Sequence, residues 1–359
     1  MESNKPRQPI RVLIVEDSPV AREFLAYVFS SDPAIQVVGF ARNGAEAVEV
    51  ARKERPDVIT MDIHMPIMDG YEATRRIMET VPTPIVVVSG STGSTEAAST
   101  FRAMDAGALA VVLRPPGMNH DAFESGSREL IQTVKLMSEI KVVKRIRPAV
   151  GVRAAAPVTP ASRAGGEIKV IAIGASTGGP PALKEILSRL PRDLPVPVLI
   201  VQHIARGFVN GLAEWLSGAS NFPVHAASHG EACLPGQAYI PPDGLHMGVG
   251  GGPRILLNDG PLENGLRPSV DYLFRCVAQE LGPDAAGVLL TGMGRDGADG
   301  LKRMKDSGAI TIAQDEASSV VFGMPGEAVK LGAATYVLPP DGIADLLTTL
   351  VGKRNGDRQ

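Results

Sequence analysis

Two doubly wound parallel α/β domains joined by a flexible linker are what this sequence predicts. Apolar runs of four to eight residues alternate with longer amphipathic stretches along most of the chain, which is the pattern of buried parallel strands and covering helices. The alternation is interrupted once, by an Ala- and Pro-rich stretch. Thirty-nine glycines against 4% aromatic residues suit tight strand–helix turns and not an aromatic-cored sandwich. At roughly 100–200 residues per domain, 359 residues accommodate two.

In the first half, RVLIVED reads as a buried strand and Pro19 to Phe29 as a helix. IQVVGFA, DVITMD, PIVVVSG and ALAVVLR are the next strands, separated by helices over Ala45 to Lys53, Gly70 to Glu79 and Ala97 to Asp105. A long helix from Phe123 to Arg145 closes the unit. The segment Arg147 to Gly166, RPAVGVRAAAPVTPASRAGG, has no apolar periodicity and is expected to be extended and solvated. The alternation then restarts: IKVIAIG, a helix from Pro180 to Leu190, VPVLIVQH, a helix over Val209 to Ser217, and several short Gly- and Pro-rich strands. A helix around Val270 to Leu281, AAGVLLTG, a helix from Gly297 to Asp306, AITIAQD and YVLPP precede a closing helix. The expected division is therefore 8–146, a linker over 147–167, and 168–353.

Composition excludes several classes. Lys and Arg total 36 and Asp and Glu 39, a net charge of −3, so a broad electrostatic nucleic-acid binder is not expected. Two cysteines, Cys233 and Cys276, build neither a disulfide framework nor a Cys-rich zinc site. The first residues, MESNKPRQPI, carry no apolar core of a secretory signal, and no run of about 18 apolar residues suits a membrane span. A soluble cytoplasmic protein without membrane insertion is the expectation.

Ligands of an open parallel sheet gather at the carboxyl ends of its strands, where strand order switches. In the first half these ends carry Glu16 and Asp17, Asp62, Ser89 and Arg114. Any one acidic residue there is also an ordinary helix cap. Together they form a set suited to Mg²⁺ and a phosphoryl group: hard carboxylate oxygens for the cation, a carboxylate acceptor, a hydroxyl and a fixed positive charge. VLIVEDSP, MDIHMPIMDG and VVVSGST resemble the receiver domain of two-component response regulators over about residues 10 to 146. The resemblance implies a flavodoxin-like fold, Asp62 as phosphoacceptor, Mg²⁺ held by Glu16 and Asp17 with Asp62, Ser89 as switch hydroxyl, and a histidine kinase as phosphodonor. Two departures stand out. Arg114, before Pro115, replaces the usual lysine, and Val111 replaces the usual aromatic; a guanidinium is no simple substitute for an ammonium.

In the second half, IKVIAIGASTGGPPALKEIL is a strand, a glycine turn and a helix. Ser176 stands where a dinucleotide fingerprint needs its second glycine, and no G-K-[ST] follows, so neither phosphate loop is expected. A serine on a sharp strand-to-helix turn has the logic of a nucleophile elbow, although it is equally the place of a helix N-cap. A serine nucleophile needs a base and the base an orienting acid. Of six histidines, His203 ends a strand that can neighbour that of Ser176; His64 lies in the other domain, His120, His225 and His229 fall in loop-like stretches, and His246 reads as structural. Asp296, in TGMGRDGADG, follows another buried strand, and Asp299, one helical turn later, is the second candidate acid. The Gly-Met-Gly stretch offers the Met293 amide to a tetrahedral oxyanion. Thr177 either adds a hydroxyl contact or is a first-turn helix residue.

GASTGG, VQHIARGF, AYIPPDGLHM, PSVDYLF, TGMGRDGADGL and AQDEASSVVFGMP resemble the catalytic domain of CheB-type protein-glutamate methylesterases/glutamine deamidases over about residues 168 to 350. The resemblance implies a Rossmann-like hydrolytic domain with Ser176 as nucleophile, His203 as general base, Asp296 as orienting acid and the Met293 amide at the oxyanion hole. It also implies chemoreceptor cytoplasmic helices as substrate and no cofactor for ester hydrolysis. Two other classes fit the sequence less well. A non-catalytic signalling module would not need the serine, histidine and aspartate set. A DNA-binding output would need a basic helix-turn-helix where this chain has βα repeats.

Overall fold

The computed structural model describes residues 8–90, 94–140, 142 and 167–352. These residues form two compact units, one on either side of the expected linker. The linker itself, apart from Glu167, lies outside the described residues; the helix expected to reach Arg145 ends at Ser138, capped at Glu139.

The first unit is a parallel five-stranded sheet of β1 (Ile10–Val15), β2 (Ile35–Ala41), β3 (Val58–Met61), β4 (Ile85–Ser89) and β5 (Ala110–Leu113), in the order β2-β1-β3-β4-β5. All four residues of β3 and all five of β4 are buried, which explains why these segments read as unbroken apolar runs. The covering helices begin at side-chain caps that the sequence supplies. Ser18 caps Pro19–Ser30 by accepting from the Ala21 N–H, and Asn43 caps Gly44–Glu54 by accepting from the Glu46 N–H. Asp69 caps Gly70–Thr80 by accepting from the Glu72 N–H. From β1 the chain moves outward to β2 and then returns to β3, so strand order switches between β1 and β3.

The second unit contains β6 (Val170–Ala175), β7 (Val198–Gln202), β8 (Val224–Ala226), β9 (Ala238–Ile240), β10 (His246–Val249), β11 (Ile255–Asn258), β12 (Ala285–Leu289), β13 (Ile310–Gln314) and β14 (Tyr336–Leu338). Seven of them form a parallel sheet in the order β14-β13-β12-β6-β7-β9-β8, and β10 and β11 form a separate antiparallel pair. Both main sheets are therefore the parallel, doubly wound kind expected. The switch falls between β6 and β12. Its core is the two-sided burial of β6, β7 and β12 under helices such as Val270–Leu281, whose Val270, Leu273, Phe274 and Val277 are fully buried.

Two details differ from the sequence reading. His225 lies in β8 and not in a loop. A helix over Met324–Lys330 was not expected, because its sequence MPGEAVK holds a proline and a glycine; burial of Met324, Pro325, Gly326 and Ala328 outweighs that weak propensity.

Candidate active site

Ser176 follows β6 directly and His203 follows β7 directly. The two strands pair in register from Ile171↔Val198 to Ala175↔Gln202, so the two residues are next neighbours at the sheet's carboxyl edge. Backbone bonds pin both: the His203 N–H donates to Ala175 O (3.0 Å) and the Ser176 N–H to Thr291 O (3.0 Å). The turn after Ser176 needs glycine. Gly178 has φ +76, and a Cβ there would lie 2.6 Å from Val320.

The third candidate arrives from the loop after β12. Asp296, 2% exposed, accepts a hydrogen bond from His203 Nε2 at 2.9 Å. A carboxylate accepts only, so Nε2 carries the proton and the lone pair of neutral His203 is on Nδ1. Among the described residues the His203 ring bonds Asp296 and not the Ser176 hydroxyl. Such bonds often close only around substrate. Burial alone would raise the Asp296 carboxyl, but its bonds from His203, Asn264 and the Val270 N–H outweigh that and hold it far below the usual range.

The Asp296 cradle was not legible as such. The carboxylate also accepts from Ser269 Oγ (2.8 Å), the Val270 N–H (2.7 Å), Asn264 Nδ2 (3.0 Å) and the Asp271 N–H (3.3 Å). It sits at the N-terminus of the helix Val270–Leu281, where free amides and the helix dipole favour an anion. Ser269 is that helix's cap, a role the PSVDYLF sequence signals; its second role depends on a loop 27 residues away. His246 is structural, as read: buried, stacked on Tyr272 and accepting from the Ser269 N–H. Gln202, missed from sequence, donates from Nε2 to both Ser176 O and His203 O, each at 2.8 Å, and so ties the two turns together.

Met293 is half-buried on the same loop, beside Gly292, where a Cβ would come 2.7 Å from Ser176 Cβ. Thr177 is half-buried, and its carbonyl accepts from Thr291 Oγ1 at 2.9 Å. Asp299 is exposed and paired with Arg295 at 2.7 Å, whereas His203 bonds Asp296.

In the first unit, Glu16, Asp17 and Asp62 bring one oxygen each within 4.8 Å of one another at the β1–β3 switch. These hard donors suit Mg²⁺. Burial first, and the Asp62 charge second, push the Glu16 carboxyl up to about 7; burial also raises Asp62. A divalent cation would relieve that repulsion. Ser89 is buried at the end of β4, and Arg114 donates its N–H to Ser89 O at 2.8 Å. The Arg114 guanidinium pairs with Glu16 at 3.4 Å and packs where a Cβ on Gly90 would lie 2.8 Å from Nη2. Glycine thus makes room for the larger cation.

Two predictions arise here. The folded pKa of Glu16 stands above its unfolded value of 4.5, so the metal-free protein should lose stability as pH rises from about 4.5 through 7. Added Mg²⁺ should restore more stability at pH 8 than at pH 5.5, read by thermal unfolding. Gly70→Ala should destabilise the first unit by about 3 kcal/mol, because a Cβ there would lie 2.1 Å from Asp62 O and 2.9 Å from Ile63 Cα, and backbone cannot step aside as a side chain can. Urea unfolding measures this.

Comparison with known proteins agrees with the architecture. Residues 171–347 match the CheB methylesterase family and residues 12–120 the response regulator receiver domain. A protein-glutamate methylesterase/protein-glutamine glutaminase of Nitrosospira multiformis is 55% identical, covering 96% of this chain and 98% of its own. The chain belongs to the CheB methylesterase family. A second relative so named, from Syntrophus aciditrophicus, is 54% identical over 96% of this chain and 99% of its own. The crystal structure of the Thermotoga maritima CheB methylesterase catalytic domain matches with TM-score 0.50 at 38% identity, covering 52% of this chain and 100% of that one. The methylesterase with a receiver domain that the sequence led us to expect is thus found. No described helix is long and apolar enough to cross a membrane.

Proposed function

We propose that this chain hydrolyses glutamate methyl esters, and deamidates glutamines, on the cytoplasmic helices of chemoreceptors, under control of phosphorylation at Asp62. The observation that carries the chemistry is the buried Asp296 carboxylate bonded to His203 Nε2 at 2.9 Å, on the strand end adjoining Ser176. In this reading Nδ1 takes the Ser176 proton as Oγ attacks the γ-carbonyl carbon. The proton then passes to the departing methoxy oxygen, methanol leaves, and water repeats the sequence on the acyl-enzyme to release the glutamate and regenerate the serine. A side-chain amide follows the same course and releases ammonia. The Met293 amide is assigned to the oxyanion, with Thr177 beside it. No cofactor enters the ester chemistry.

The receiver supplies regulation. A cytoplasmic histidine kinase is the proposed phosphodonor. Glu16, Asp17 and Asp62 would hold Mg²⁺, which neutralises charge on the transferring phosphoryl group, and Ser89 and Arg114 would register its arrival. The deciding assay is methanol release from methylated receptor, with and without a small-molecule phosphodonor. The donor should accelerate the wild type, and Asp62→Asn should abolish the acceleration while keeping the basal rate. Absence of methanol release under both conditions would overturn the assignment.

A further inference from the structure

Asn264 lies at the tip of a two-residue turn closed by reciprocal backbone bonds between Glu263 and Leu266 (3.1 and 2.8 Å). Asn264 has φ +52 and Gly265 φ +77, the left-handed pair that Asn-Gly adopts readily. The base of the turn is fastened by Arg275, which donates to both Glu263 oxygens at 2.8 and 2.5 Å. From this anchored tip the Asn264 amide nitrogen donates to Asp271 Oδ2 at 2.7 Å and to Asp296 Oδ1 at 3.0 Å. Asp271 is itself buried, and its other oxygen accepts from the Gly300 N–H at 2.6 Å. A single amide thus stands between two buried carboxylates that would otherwise repel each other, with both of its N–H groups in use.

We propose that Asn264 is a positioning residue for the proton relay: by dividing its two donors between Asp271 and Asp296, it fixes the rotation at which Asp296 presents Oδ2 to His203. The proposal rests on the Ser176–His203–Asp296 reading above. Four other donors hold Asp296, but three of them belong to Ser269, Val270 and Asp271 at one helix terminus, and His203 is the group to be oriented. Asn264 is the contact from the turn that precedes that helix. Without it the two carboxylates lose their shared side-chain donor, and Oδ1 of Asp296 keeps only Ser269 Oγ at 2.8 Å and the longer 3.3 Å bond from the Asp271 N–H.

Two substitutions separate this role from that of an ordinary turn residue. Asn264→Gly keeps the left-handed backbone and removes the amide alone. Asn264→Asp keeps the size and turn preference but replaces the shared donor with a third carboxylate. Full-length protein would be assayed for methanol release from methylated receptor, with Asp296→Asn in parallel. Expected for both variants is a fall in kcat of about tenfold to a hundredfold, with KM close to wild type. The downfield imidazole N–H resonance of His203, identified by its loss in His203→Gln, should also move or broaden in Asn264→Gly. A folded Asn264→Gly or Asn264→Asp protein within twofold of wild-type kcat, with that resonance unmoved and Asp296→Asn inactive, would overturn the positioning role and leave the relay standing. Wild-type activity in Asp296→Asn would overturn the relay itself, and this proposal with it.

Discussion

Full-length Ser176→Ala should release methanol from methylated receptor at a rate at least about 10⁴-fold below wild type, with no change in its unfolding midpoint. The two expectations are separable because Ser176 participates in the fold through its backbone. Its N–H reaches Thr291 O and its carbonyl accepts from Gln202 Nε2 and the Gly179 N–H, and none of these involves Oγ. Removing one hydroxyl from a half-buried side chain leaves no hole in the core. The amides and the His203–Asp296 pair remain, so some acceleration over water should persist. Steady-state methanol release beside thermal unfolding tests both halves, and a loss smaller than tenfold would remove serine from the nucleophile's role.

Asp296→Asn should lower kcat by about 10³- to 10⁴-fold, for a different reason. The carboxylate accepts from Nε2 and thereby leaves Nδ1 able to take a proton; an amide that turns its NH₂ toward the ring demands the opposite tautomer and puts the proton on the basic nitrogen. The same change should cost stability at neutral pH, because five donors converge on this group and an amide oxygen cannot satisfy them all. The pH dependence has a definite sign. Asp296 is held below its unfolded value, so its contribution is complete above the ordinary Asp pKa of about 4 and disappears as pH falls through the folded value. The stability gap between wild type and Asp296→Asn should therefore be wide at pH 7 and narrow toward pH 3, measured by urea unfolding. An unchanged gap would mean that the hydrogen bonds do not depend on the ionised carboxyl.

Both domains were legible because fully buried parallel strands such as β4 and β6 must be written as unbroken apolar runs, and their ends must be turned with glycine or a cap. The candidate residues were picked by the same rule, since Ser176 and His203 lie just beyond such runs and Asp296 lies in the loop that follows another. What escaped were residues whose local reading is complete without function. Gln202 looks like the last residue of a strand, Ser269 like a helix cap, and Asn264 like half of an Asn-Gly turn; each is that, and each also touches a residue of the site. The Met324–Lys330 helix escaped because burial and not propensity maintains it.

Taken alone, the amino-acid order determined the two parallel sheets, the residues at their carboxyl edges and the family, because periodicity and turn chemistry are local and repeat along the chain. Only the tertiary structure decided which edge residues meet. That Asp296 and not Asp299 bonds His203, that a helix terminus and Asn264 hold it, and that Arg114 pairs with Glu16 are contacts between segments 25 to 98 residues apart. Strand order and register set such distances, and neither is written in any single stretch of sequence.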